Sequence, residues 1–154
     1  MSSASPSPVR RTRRFTVAAL VMATAMILSA CLTPEQDSVL SELNADRRAN
    51  NRTTLAVQAD AQVKAQAWAE KLAREGKLYH SNLSDGIGVR WCSLGENVGY
   101  GGSVASVQDA YMRSSGHKAN VLSTAWNGVG VGYAKGKVNG HNVVFTVQVF
   151  IKTC

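Results

Sequence analysis

From Val129 onward the sequence changes period. Val129, Val131 and Tyr133 alternate with Gly130, Gly132 and Ala134. A strand with that pattern carries bulky side chains on one face and small ones on the other. Asn139-Gly140 follows, a strong two-residue hairpin signal. A second, longer strand runs from Val143 to Ile151 and holds Phe145, Val147 and Phe150. An antiparallel hairpin at the end of a chain must bury a face under something else. The segments before it read mostly as helix, so the pattern predicts an α+β fold with the sheet covered by helices.

The first helix starts at Thr33-Pro34-Glu35-Gln36. Thr33 can cap it, Pro34 suits the first turn, and Gln36 completes a capping box. Val39, Leu40 and Leu43 recur at helical spacing, and Asn50-Asn51 ends the run. A second helix begins near Gln58 or Asp60. Ala61, Ala65, Trp68, Ala69 and Leu72 form its apolar stripe, while Gln62, Lys64, Gln66, Glu70 and Lys71 lie off it. The alanine face allows close approach to another layer, and Trp68 is expected in the core. Gly76 marks the C-terminus. Trp91 to Val98 reads as a brief strand or extended segment, and Tyr100 to Ser103 as a turn. Ser103 caps a third helix through Val104, Val107, Ala110 and Tyr111; Ser115-Gly116 breaks it, and His117 to Leu122 forms one more turn.

The first 30 residues stand apart. Arg10, Arg11, Arg13 and Arg14 precede an uncharged run from Phe15 to Pro34, and Leu28-Ser29-Ala30-Cys31 lies within it. A basic region, an apolar region and small residues before the break make a secretory signal peptide. Those four residues resemble a bacterial lipobox, with Cys31 as the lipidated first residue of the mature chain. An ordinary signal peptide or an uncleaved anchor helix are the alternatives. Domain boundaries are therefore set at 1–30 for the signal, 31–34 for a short anchor linker, and 35–154 for one domain.

This division changes the charge argument. The whole chain carries 17 basic and 10 acidic side chains, a net +7. Four of the basic ones lie in the signal, so the rest carries 13 against 10, a net +3. No basic stripe with interleaved aromatics is present, and the charge gives no footing for nucleic acid. With Cys31 taken by lipid, Cys92 and Cys154 remain, an even count in an exported chain, and one disulfide is expected.

Three residues are candidates for chemistry. Glu96 lies between Gly95 and Asn97, where backbone freedom could aim a side chain. His117 follows Gly116 at a helix start, and His80 precedes both. His141 sits beside the hairpin turn and is read as exposed. Two imidazoles and one carboxylate suffice as three ligands for an open zinc site that activates water. A serine route through Ser114 or Ser115 with a His base lacks a nucleophile-elbow motif. The third reading is a hydrogen-bonded network that fixes the loops around a cleft.

Gly95-Glu96-Asn97-Val98-Gly99, Ser115-Gly116-His117-Lys118-Ala119-Asn120-Val121-Leu122 and Val129-Gly130-Val131-Gly132 resemble the CAP superfamily (SCP-like: cysteine-rich secretory, antigen 5 and pathogenesis-related 1 proteins), in its bacterial branch. Leu43-Asn44-Ala45-Asp46-Arg47, Trp68-Ala69, His80 and Gln148-Val149-Phe150 fit in the same order, so the resemblance spans about residues 35 to 151. It implies a three-layer α-β-α sandwich with a cleft lined by two His and two acids. His80 and His117 match the histidines and Glu96 matches one acid. The position of the second acid, three residues after the aromatic Tyr111, is Ser114. In the family the two His can hold zinc or another divalent cation, and the loss of one carboxylate weakens that expectation.

The resulting expectation is a monomeric lipoprotein at the outer face of a bacterial cell membrane, or secreted. Its cleft would bind a lipid, a sterol-like molecule or cell-wall material without turnover. A metal-dependent, peptidase-like hydrolase is the alternative.

Overall fold

In a computed structural model, residue 1 and residues 31–154 are described. The expected signal peptide at 1–30 lies outside the described residues, apart from Met1. Four helices and three strands follow: α1 Pro34–Ala49, α2 Ala59–Glu75, β1 Trp91–Gly101, α3 Val104–Arg113, α4 Ser115–Leu122, β2 Gly128–Val138 and β3 His141–Thr153. No described helix is long and apolar enough to cross a membrane. Helix α1 starts at Pro34, the residue read as suiting its first turn.

Local signals hold where the physics is local. Thr33 and Gln36 form a reciprocal capping box at α1. Gly76 ends α2 in the left-handed region. Asn139 and Gly140 take φ of 50° and 82° and turn β2 into β3, with Val138 opposite His141. His141 is exposed. The disulfide between Cys92 and Cys154 is formed and closes a separation of 62 residues.

The segment before the third helix departs from expectation. Instead of a brief extended stretch ending in a turn, β1 runs eleven residues to Gly101 and pairs antiparallel with β3. The sheet order is β1-β3-β2. Glycines at 95, 99 and 101 weaken strand propensity. The pairing partner of Asn97 is Gln148, 51 residues downstream, so the sequence window alone undervalued the strand.

Two cores flank the sheet and make the three layers. On one face Ala61, Ala65, Ala69 and Leu72 of α2 pack on Val98, Phe145, Val147, Val149 and Ile151. On the other, Val39 and Leu43 of α1 and Val121 of α4 pack on Val129, Val131 and Phe150. The small face of β2 meets α2 directly. A Cβ at Gly130 would overlap the backbone of Ala61, and one at Gly132 the backbone of Ala65. Glycine is required there because the helix backbone lies against the strand.

Two residues that lie off the apolar stripe of α2 are structural. Gln62 donates to Val131 O at 2.8 Å and accepts from Val131 N at 2.9 Å. Gln66 does the same for Tyr133, both contacts at 3.0 Å. Four residues of helix rise about 6 Å and two residues of strand about 6.7 Å, so the two ladders stay in step. Trp68, expected in the core, is half-buried: its indole donates to Tyr79 O at 3.1 Å, and Lys71 Nζ sits 4.7 Å from its ring.

Candidate functional site

β1 carries the site because it is an edge strand whose two faces look at different layers. Val98 joins the α2 core, and a Cβ at Gly95 or Gly99 would meet Trp126 or Tyr111 on the opposite side. Glu96 therefore shares the α2 face with Val98, and Asn97 shares the α3–α4 face with the glycines. The glycines around Glu96 serve space rather than backbone freedom. Glu96 is in regular register with Val149, and neither Gly95 nor Gly99 has a positive φ.

The Glu96 side chain is 1% exposed and its carboxylate is fully engaged. Oε1 contacts His80 Nδ1 at 2.8 Å and accepts from Ser81 N at 2.9 Å; Oε2 accepts from Ser81 Oγ at 2.6 Å. An ionised carboxylate only accepts, so His80 carries its proton on Nδ1 and presents Nε2 outward. The His80 side chain is 61% exposed. Lys64 on α2 lies within the field of Glu96 and Asp85. Its Nζ donates to Asn82 O and Asp85 O at 2.7 and 2.9 Å, and burial nevertheless holds its pKa below the ordinary value.

The second half of the site is at the start of α4. His117 Nδ1 lies 2.9 Å from Ser114 Oγ, and the imidazole sits 5.1 Å from the Tyr111 ring. Burial lowers the His117 pKa below its ordinary value, and the nearby His80 lowers it further. Tyr111 is buried, donates to Thr146 O at 2.9 Å, and has its pKa pushed up by desolvation.

Buried amides join the halves. Asn97 Nδ2 donates to His117 O at 3.2 Å and to Gln148 Oε1 at 3.0 Å. Asn120 Nδ2 donates to Asn97 Oδ1 at 3.0 Å and to Glu96 O at 3.2 Å. Gln148 in turn donates to Gln108 at 2.7 Å. Arg47 fixes the far end of α4: its buried guanidinium donates to Val121 O at 2.6 Å and Ser123 O at 2.9 Å, where the helix dipole favours a cation. Ser81, Asn120 and Arg47 were not candidates from the sequence. Ser81 and Asn120 each adjoin or follow a candidate His at short spacing, which is the signal that could have found them.

So the structure groups His80 with Glu96, and His117 with Ser114, on the two sides of the β1 edge. It does not place Glu96 behind His117. A pocket of about 230 Å³ lies between α3, α4 and the strand edge, lined in part by Leu78, Val98, Tyr111, Ser114 and His117. Among the described residues no group of three or more His, Cys, Asp and Glu is arranged to hold a metal. Both oxygens of Glu96 are occupied, which leaves two outward imidazole nitrogens at most. That donor set does not fit an open zinc site with three protein ligands.

The family model of the cysteine-rich secretory protein family, CAP, matches residues 40–150. This chain belongs to the CAP family. Solved structures agree on its fold. An outer surface protein from Borrelia burgdorferi superposes with a TM-score of 0.62 at 19% identity, over 78% of this chain and 93% of that one. A cysteine-rich secretory protein from Staphylococcus aureus gives 0.61 at 16% identity, over 77% of this chain and 38% of its own length. The venom allergen-like protein 4 of Schistosoma mansoni gives 0.57 at 14% identity, over 79% and 92%. No curated protein sequence matches the chain. These likenesses establish the three-layer CAP fold with its small antiparallel sheet.

Proposed function

We propose that this CAP protein is a lipid-anchored binding module of the bacterial cell envelope, which holds a lipid, sterol-like or cell-wall ligand at the β1 edge without turning it over. The observation that supports absence of turnover is the state of Glu96. Its carboxylate is spent on His80 and Ser81, so it orients a loop and offers no free base to a substrate. His80 and His117 are the residues that would hold a divalent cation. Two ligands give weak binding.

Anchoring is supported by Cys31. It is exposed and free, and it stands two residues before the cap of α1. A linker of 31–34 would hold the domain close to the bilayer. Mass measurement of the mature N-terminus is expected to find a diacylglyceryl cysteine, and Cys31→Ser is expected to shift the protein from membrane to soluble fraction. An unmodified N-terminus elsewhere in the chain would end the lipoprotein reading.

A second reading as a hydrolase draws on one contact, Ser114 Oγ to His117 Nδ1 at 2.9 Å. It resembles a nucleophile and its base. The dyad has no carboxylate behind it, because Glu96 is bound to the other His. Extraction of retained ligand from protein purified from its own host tests the binding reading. Ligand expected in wild type and lost in a cleft variant supports it; an empty wild type that hydrolyses peptides favours the hydrolase. Zinc calorimetry on wild type and on His80→Ala with His117→Ala tests the metal separately.

A further inference from the structure

We infer that the free edge of β1 at Val98 to Tyr100 is a docking strand for a short extended peptide, which adds to the sheet as a fourth strand. The inference rests on the cleft being a binding site and names the class of its ligand.

Register decides which main-chain groups face the pocket. On β2, Val131 and Tyr133 turn their N–H and C=O outward to Gln62 and Gln66. Their partners across the ladder are Gln148 and Thr146. In an antiparallel pair, when one residue points away the opposite one does too. Gln148 and Thr146 therefore face β1, where they meet Asn97 and Gly99. The alternate residues Glu96, Val98 and Tyr100 then point their peptide groups off the free edge. Asn120 confirms this independently by donating to Glu96 O at 3.2 Å.

Beyond Glu96 the edge is bare. Among the described residues none hydrogen-bonds the outward N–H or C=O of Val98 or Tyr100. Val98, 4% exposed, and Tyr100 both line the pocket. Main-chain groups in such a place require partners. Leu78, Val107, Ala110, Tyr111 and His117 also line the pocket. Leu78 and Tyr100 are each 44% exposed, apolar surfaces for the side chains of a guest strand.

The occupant follows from this chemistry. A peptide backbone supplies an acceptor and a donor at the spacing of Val98 and Tyr100, about 6.7 Å. An acyl chain would leave those groups unpaired.

Heptapeptides selected from a random phage library on the full mature protein, then synthesised, test the inference. Amide exchange at Val98 and Tyr100 is expected to slow when a selected peptide binds. Proline is tolerated at a free edge, and Tyr100→Pro removes an outward N–H together with the Tyr100 ring. It is expected to weaken binding about tenfold relative to Tyr100→Ala, which loses the ring and keeps the amide. N-methylation along the peptide is expected to abolish binding at alternate residues only. Failure to select any peptide, or N-methylation effects with no period of two, overturns the inference even should Tyr100→Pro fold poorly. A lipid retained by host-purified protein that binds no peptide would sink the edge and leave the binding cleft standing. Neither retained ligand nor peptide would remove both.

Discussion

The two edges of one three-stranded sheet are finished in opposite ways. At β2 the outward groups of Val129 are taken by Ala56 and Gln58, those of Val131 by Gln62, and those of Tyr133 by Gln66. At β1, among the described residues, a single side chain, Asn120, hydrogen-bonds the edge, and the strand beyond it opens on a pocket. A covered edge cannot recruit a further strand, and an open one can. The contrast separates scaffold from site: α2 and β2 are locked together by backbone contact, whereas β1 is braced from behind and left accessible in front.

That contrast can be broken at several points. Replacing Cys92 and Cys154 by Ala releases the rear brace of β1, and the loop-entropy relation for 62 residues puts the loss at roughly 4 kcal/mol, read as a lower urea midpoint. Gly130→Ala attacks the other edge by forcing a Cβ into Ala61; a loss of about 3 kcal/mol is expected, with ligand binding per folded molecule unchanged. A fall near zero would mean that α2 is free to lift. Gln62→Leu strands the N–H and C=O of Val131 and is expected to cost about 2 kcal/mol. Ser114→Ala belongs to the open side: stability within about 0.5 kcal/mol of wild type and altered ligand binding are expected.

The smallest effect is in pH. Burial and His80 hold the folded His117 pKa below the ordinary 6.5. The unfolded chain takes the proton first, so the His117 contribution is present above 6.5 and is lost as pH falls through the lowered folded value. Urea midpoints from about pH 7 to about pH 5 are expected to fall less in His117→Gln than in wild type. Equal slopes would show that His117 titrates alike in both states.

Much of the scaffold was legible. The capping box at Thr33, the Gly76 stop and the Asn139-Gly140 turn depend on residues within four positions of each other. The disulfide was legible because only two cysteines remained after Cys31. The candidate site was half legible. His80, Glu96 and His117 were named, but their partners were not, and Glu96 was free to pair with either His. Gln62 and Gln66 were read only as lying off the apolar stripe, because hydropathy ignores what an amide does beside a strand edge.

The sequence by itself determined the element order, the hairpin, the helix ends and the family, since each rests on short-range stereochemistry or on motifs in fixed order. Only the tertiary structure decided that β1 is an eleven-residue edge strand, that Glu96 serves His80 and Ser81, and that the peptide groups of Val98 and Tyr100 face a pocket. Those facts depend on ladder register between segments far apart in the chain, as with Asn97 and Gln148. A shift of one residue would turn every one of those groups around.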